Sequence, residues 1–214
     1  MLGLLYRDFI NLKASLKSIV LSSVVIMVVA WFFNYGTIVI IAMPVVLAFS
    51  ITGSFQCDAA LKWNRQCMIL PVTSGNVVLA RYLIFMIMMI IGTVISFIYG
   101  NLYMSITNFS QINNHFTMEL GIVIALITPL LNASLFLPSI YYYKGEKLEM
   151  AALCCIILTF LIFGGGALII KYTTISFQYT DLNMYIYVLL AISFILFILS
   201  YFISKKIYEI KSIE

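Results

Sequence analysis

Long apolar runs separated by short polar segments dominate the chain. A helix needs about 20 predominantly apolar residues to cross a bilayer, and six runs approach or reach that length. They cover residues 18–34, 37–55, 82–104, 120–141, 149–170 and 184–204. The pattern predicts an all-α, polytopic membrane protein with six transmembrane helices, which form a single transmembrane domain over residues 1–214.

The first seventeen residues have a different periodicity. Their apolar side chains recur at spacings of three and four, which places them on one stripe of a helix: Leu2, Leu5, Phe9, Leu12 and Leu16. Arg7, Lys13 and Lys17 fall on other faces. The segment 1–17 is therefore predicted to be an interfacial amphipathic helix, with its stripe toward lipid and its cations toward anionic headgroups. It then bends sharply into the first span.

The longest polar segment, residues 56–81, separates the second and third spans. Within it Ala60, Trp63, Cys67 and Leu70 share one helical face, and Pro71 ends the pattern because proline has no backbone donor. The residues "TSGN" at 73–76 then supply caps for the next helix. The pattern predicts a short helix over residues 58–70. Its apolar face with the tryptophan is suited to rest on lipid or to fill a groove on another protein.

The positive charges indicate which side of the membrane each segment occupies. Eleven of the twelve basic residues lie in segments on one side of the predicted spans, and Lys171 alone lies on the other. Because basic loops stay in the cytoplasm, both termini and the segment 56–81 are predicted to be cytoplasmic. The loop 171–183 either stays outside or dips back into the membrane.

Composition excludes several functional classes. Apolar residues make up 64% of the chain and charged residues 9%, and no mixture of basic and aromatic residues typical of a nucleic-acid surface occurs. No span carries a charge away from its ends, whereas ion-coupled carriers place such charges at membrane depth. The single histidine, His115, lies in an outer loop, and the four cysteines lack metal-ligand spacing. No catalytic residue, metal site or bound cofactor is predicted.

Helix-breaking and polar residues within the spans suggest where the structure changes shape. Proline frees backbone groups that neighbouring helices must satisfy, and glycine lets helices approach closely. Such residues fit ordinary helix packing, or they line a path and its hinges. The candidates are Pro44, Pro129, Asn132, Pro138 and Gly165.

The order of segments and a few motif residues resemble the type-2 ABC exporter permeases, in particular the small six-span bacterial permeases of the phenol-soluble-modulin exporter kind. The matching positions are Asp58, Trp63, "LPVT" at 70–73 and the pair Arg81-Tyr82. The family pattern places an arginine after the hydroxyl residue, where this chain has Ser74 followed by Gly75.

The resemblance implies specific roles. The helix over 58–70 corresponds to the cytoplasmic coupling helix that docks on a separate ABC ATP-binding subunit, through Asp58, Ala60, Lys62, Trp63, Arg65, Cys67, Leu70 and Pro71. ATP and Mg would bind to that subunit, because this chain has no GxxxxGK[ST] motif. The implied partners are a second permease copy or a homologous permease, the lipid bilayer of a bacterial plasma membrane, and an amphipathic peptide cargo. The alternative is a stand-alone membrane immunity or binding protein, which would have no ATPase partner.

Overall fold

The computed structural model describes residues 2–33, 36–61, 73–107, 118–143, 148–173 and 179–213. These residues are almost entirely α-helical, and they contain no strand. The helices are α1 (Leu2–Phe32), α2 (Gly36–Phe49), α3 (Ile51–Ala60), α4 (Ser74–Thr107), α5 (Met118–Tyr143), α6 (Leu148–Thr173) and α7 (Tyr179–Ile213).

Four stretches of the described residues are long and apolar enough to cross a membrane: Ile38–Asp58, Ser74–Tyr103, Glu119–Tyr143 and Met184–Ile210. A fifth arises if α1 is counted, because its parts Gly3–Lys13 and Lys17–Phe32 pass the same test together although they meet at 60°. The apolar stretch found in α6 is Met150–Thr159, which is shorter than the 18 residues required of a candidate span. The all-helical fold is confirmed, with four or five candidate membrane spans among the described residues, and the count of six stays a prediction.

Helix α5 lies at the centre of the bundle, where it packs against α2, α4, α6 and α7. Its side chains Ala125, Ala133 and Leu137 are fully buried. Phe136 is also fully buried, with its ring centroid 4.9 Å from that of Phe49 in α2. Close packing of this kind, rather than a hydrophobic force, holds helices together in lipid.

The contact between α2 and α4 depends on a proline and a glycine. Pro44 is fully buried within α2, and a Cβ atom placed on Gly92 of α4 would lie 2.6 Å from the Pro44 Cα. The two backbones therefore approach more closely than any larger residue at position 92 permits. A turn at Ser50, whose Oγ donates to the Leu47 carbonyl at 2.6 Å, separates α2 from α3 within the second span.

Aromatic residues cluster at one end of the bundle. The Trp31 ring packs edge-on against Tyr103, with centroids 5.7 Å apart, and Tyr103 stacks on Tyr99 at 6.1 Å. Gly36 begins α2 directly against the Tyr103 ring. Charged residues from α1, α3 and α4 meet at the opposite end. Residues assigned to the cytoplasmic side by their charge thus share one end, while the orientation in the membrane stays a prediction.

The N-terminal segment of α1 turns its predicted stripe partly toward the protein. Leu12 is 2% exposed and belongs to the main core, against which Leu5 also packs. Phe9 and Ile10 remain exposed, as does Tyr6. The stripe therefore does not face lipid as a unit, because α1 also packs on α2, α3 and α4. The side chains of Leu2 and Leu16 lie outside the described part.

The polar segment between the second and third spans is shorter than predicted. Helix α3 continues to Ala60, and α4 begins at Ser74 after Thr73, whose carbonyl accepts a hydrogen bond from the Val77 amide at 3.3 Å. Asp58 thus lies in the last turn of the second span. The remaining predicted docking residues fall within 62–72, outside the described residues: Lys62, Trp63, Arg65, Cys67, Leu70 and Pro71. The side chain of Ala60 is likewise not described.

Candidate functional site

Four charged side chains from three helices form an ion-pair cluster, which consists of Arg7, Asp8, Asp58 and Arg81. Arg7 and Asp8 lie on the N-terminal segment of α1, Asp58 lies near the end of α3, and Arg81 lies in the first part of α4. The cluster therefore lies where the chain enters and leaves residues 62–72. Asp58 is on the helix before this segment, and Arg81 is on the helix after it.

Arg81 is the centre of the cluster and is only 3% exposed. Its Nε lies 3.1 Å from Asp8 Oδ2, and its Nη2 pairs with Asp58 Oδ2. Its Nη1 donates to Ser54 Oγ at 2.6 Å. The guanidinium carbon lies 4.7 Å from the centroid of the Phe55 ring, within the range of a cation–π contact. Arginine suits this role because its planar fork directs several donors at once.

Arg7 is the second cation of the cluster and contacts both of its carboxylates. Its Nη2 pairs with Asp58 Oδ1, so that both oxygens of the Asp58 carboxylate accept from arginines. Its Nη1 is 3.7 Å from Asp8 Oδ1. Two cations therefore balance two anions in a site that is largely closed to water. Buried charges are tolerated when they are paired in this way.

Asp8 is the more deeply buried of the two acids in the cluster, at 2% exposure. Burial raises the pKa of Asp8 above its ordinary value, while the positive charges of Arg81 and Arg7 oppose that shift. Its Oδ1 atom has no hydrogen-bond partner among the described residues. The carboxylate is thus held mainly by the single close contact of Oδ2 with Arg81.

The local sequence explains how these groups meet. Ser54 and Asp58 are four residues apart on α3, so that they share one face. Asp8 lies three residues after Leu5 and four before Leu12, and this spacing places it on the face of α1 that packs against the core. Asp58 and Arg81 were among the motif positions of the sequence, whereas Asp8 and Ser54 were missed. The helical spacing of Asp8 with two buried leucines was the available signal.

A second polar contact joins α4 to α7 beside the cluster. The Tyr82 hydroxyl lies 2.7 Å from Ser200 Oγ and 2.8 Å from Ser204 Oγ, and all three side chains are buried. Nearby, Ser74 Oγ donates to Glu209 Oε1 at 2.8 Å. The first turns of α4, which follow the segment 62–72, are therefore fastened to the last turns of α7.

Replacing Tyr82 with phenylalanine is expected to lower the free energy of unfolding by about 1 kcal/mol. The substitution removes the buried tyrosine hydroxyl, while its partners Ser200 and Ser204 keep their hydroxyls. The cost is limited because a serine hydroxyl within a helix can turn to donate to a carbonyl of the preceding turn. Thermal unfolding in detergent measures the effect. The matched control is Tyr187→Phe on the exposed side of α7, where no change is expected; equal melting temperatures for both variants would contradict the proposed contact.

The candidate path residues lie apart from the cluster. Asn132 in α5 is 3% exposed, and its Oδ1 accepts a hydrogen bond from Thr159 Oγ1 of α6 at 3.2 Å. Asn132 thus lies between two helices rather than on an open surface. Pro129 is buried within α5, Pro138 is half-buried, and Gly165 has open space where a Cβ would stand. The structure does not bring these residues together with the ion-pair cluster.

The cluster joins three helix ends through its ion pairs. Its carboxylates are occupied by arginines, and in the described part of the chain no group of three or more His, Cys, Asp or Glu side chains is placed to hold a metal ion. Because the cluster links α3, α4 and the start of α1, a displacement of any one of these helix ends acts on the other two.

Comparison with known proteins gives one family. No curated protein and no solved structure matches the chain. Residues 3–209 match the family model described as "ABC-2 family transporter protein", which covers nearly the whole chain. Members are generally the non-catalytic membrane component of an ABC transporter, which implies an ABC ATP-binding partner. With its long apolar helices and this match, the chain belongs to the ABC-2 family of transporter proteins and is a multi-span permease component.

Proposed function

We propose that the chain is the permease subunit of an ATP-driven exporter that moves amphipathic or hydrophobic cargo out of the cell. Residues 1–214 act as one permease domain, and ATP with Mg binds to a separate subunit. The family match supports the permease role. The cluster is the observation that supports coupling, since Asp58 and Arg81 join the two helix ends from which the segment 62–72 extends.

In this mechanism the segment 58–70 is the coupling helix that docks on the ATP-binding subunit. A force applied to a loop displaces the helices on either side only weakly if the two ends of the loop can move independently. Here the ends are fastened to each other because Arg81 pairs with Asp58 and donates to Ser54, and they are fastened to α7 through Tyr82. ATP-driven closure of the partner subunits would therefore displace α3 and α4 together and open a path between the spans.

The spans themselves suggest the class of cargo. The predicted spans carry no charge away from their ends, and charged side chains at membrane depth mark the paths of ions and protons. An apolar path suits a cargo with an apolar face, and we propose amphipathic peptides of the cytolytic or antimicrobial kind. The transporter would pair two permeases, either two copies of this chain or this chain with a homologue. It would lie in a bacterial plasma membrane with both termini in the cytoplasm.

Replacement of Trp63 with alanine tests the docking role. A buried tryptophan at the centre of an interface contributes about 2 kcal/mol or more, which corresponds to a loss of affinity of roughly 30-fold. We expect the ATP-binding subunit to be lost from the purified complex and transport to fall accordingly, while membrane insertion is unchanged. Co-purification from membranes and cargo transport into vesicles measure both effects.

The control is Trp31→Phe, since Trp31 is the other tryptophan of the chain. It packs against Tyr103, at the end of the bundle opposite the ion-pair cluster. It should retain the ATP-binding subunit. Full activity of the Trp63→Ala variant, with no nucleotide-binding protein recovered from wild-type membranes, would favour the stand-alone immunity protein instead.

A further inference from the structure

We propose that a groove between α1 and α4, at the end of the bundle opposite the ion-pair cluster, binds one acyl chain of a membrane phospholipid. The ester carbonyl at the head of that chain accepts a hydrogen bond from the Tyr99 hydroxyl. This role is separate from ATP coupling and goes beyond the proposed function. A lipid held there adds contacts between the last turns of α1 and of α4.

The groove is apolar and open to the surface of the bundle. Its volume is about 230 Å³, which exceeds the roughly 150 Å³ of an apolar cavity that takes up a benzene ring. Trp31 packs edge-on against Tyr99, with ring centroids 6.5 Å apart, and so holds the two sides of the groove together. An unfilled space of this size forfeits dispersion contacts. The lining residues are Met27, Val28, Trp31 and Phe32 of α1 and Tyr99 of α4.

The groove lies at the depth where a phospholipid changes from hydrocarbon to headgroup. On one side it is formed by the end of the segment Lys17–Phe32, and on the other by Tyr99, one turn before the end of the candidate span Ser74–Tyr103. Tryptophan and tyrosine favour this boundary because each side chain has an apolar body and a polar tip. The ester carbonyls of phospholipids lie at the same boundary, at the head of their acyl chains.

Tyr99 supplies a polar group that the described part of the protein leaves unpaired. The residue is 9% exposed, and its hydroxyl is buried without a hydrogen-bond partner among the described residues. A buried hydroxyl without a partner is costly. Because the same side chain lines the groove, a lipid seated there brings its ester carbonyl to Tyr99 and supplies the missing acceptor.

The groove is continuous with the apolar outer surface of the two helices, and this identifies its occupant as a lipid. Val24 lies one turn before Val28 on the same exposed side of α1, and on α4 the exposed residues Val94 and Ile98 approach Tyr99. None of the described residues that line the groove is charged, so the polar face of an amphipathic peptide would find no partner there. An acyl chain needs only an apolar surface to follow and one donor for its ester carbonyl.

The experiment measures lipid contact at Trp31 in the complete transporter, reconstituted in vesicles of ether-linked phosphatidylglycerol. A rising fraction of that lipid is replaced by ester-linked phosphatidylglycerol with brominated chains, which quench tryptophan fluorescence on contact. The part of the signal that is lost in Trp31→Phe reports on the groove. In the wild type we expect the groove to favour the ester-linked lipid by about fivefold, the contribution of one hydrogen bond. Brominated ether-linked lipid should quench only in proportion to its fraction in the vesicle.

Three variants separate the groove from ordinary contact with the bilayer. Tyr99→Phe keeps the ring and removes the hydroxyl, so the preference for ester-linked lipid should disappear. Val28→Phe fills the groove and should also abolish the preference. The matched control is Val25→Phe on the same helix, since Val25 is 52% exposed against 48% for Val28 but does not line the groove; it should behave as the wild type.

Each of the opposite results would overturn the inference. Wild-type quenching that follows the vesicle composition for both kinds of lipid would show that no lipid is selected, and this comparison requires no substitution that could impair folding. An unchanged preference in Tyr99→Phe would remove the role of the hydroxyl. Relief of the quenching by an added amphipathic peptide would make the groove a cargo site instead. A transporter that exports no cargo leaves these results unaffected, because the measurement requires no nucleotide.

Discussion

Replacement of Arg81 with alanine is expected to destabilise the protein by about 3–5 kcal/mol, the cost of removing one partner from a buried ion pair. The change leaves Asp8 and Asp58 facing each other with only Arg7 to balance them, and Asp8 stays almost fully buried. Thermal unfolding of the purified protein in detergent should show a large drop in melting temperature, together with a lower yield of folded protein.

The size of the effect depends on the uncompensated charge, and a second variant tests that explanation. Combining Arg81→Met with Asp8→Asn and Asp58→Asn removes the opposing charges as well, and should recover part of the lost stability, because a buried ion pair replaced as a whole is often nearly neutral. A single Arg81→Ala variant as stable as the wild type would show that the cluster does not hold these helices together.

Replacement of Gly92 with alanine is expected to cost about 1–3 kcal/mol, in the range found when a well-packed core is overfilled. The new Cβ would lie 2.6 Å from the Pro44 Cα and 3.3 Å from the Met43 carbonyl oxygen. These are backbone atoms, so that α2 and α4 must separate to accommodate it. Thermal unfolding in detergent measures the loss.

The matched control is the same substitution at Gly165, where no atom of the described residues, apart from the backbone of its own helix, lies within 4 Å of the added Cβ. There the intrinsic preference of alanine for a helix, worth up to about 1 kcal/mol, should leave the stability unchanged or slightly raised. Equal effects at positions 92 and 165 would contradict the close approach of α2 to α4.

The long helices were the most predictable feature of the chain. The runs 82–104 and 184–204 lie within α4 and α7, because a segment in lipid must satisfy its backbone groups internally and a helix does so. Helix ends were less predictable. The polar composition near Asp58 indicated a loop from residue 56, yet α3 continues to Ala60 because Asp58 finds charged partners against the bundle.

The amphipathic N-terminal segment shows that an apolar face of a helix does not by itself reveal whether it packs against lipid or against protein. Helical spacing correctly placed Leu5 and Leu12 on one face, but lipid and protein are equally apolar surroundings for leucine. In the structure Leu12 enters the protein core and Phe9 stays outside. Asp8, which lies between Leu5 and Leu12 in sequence, was missed, although it is buried with Arg81.

The sequence by itself determined that this chain is a helical membrane protein, because apolar length and the distribution of basic residues act locally, and it also determined the family. Only the tertiary structure decided that the helix ends flanking residues 62–72 are joined by an ion-pair cluster. Asp8, Asp58 and Arg81 are far apart along the chain, and a charge finds its partner only when helix packing brings the two together and excludes water.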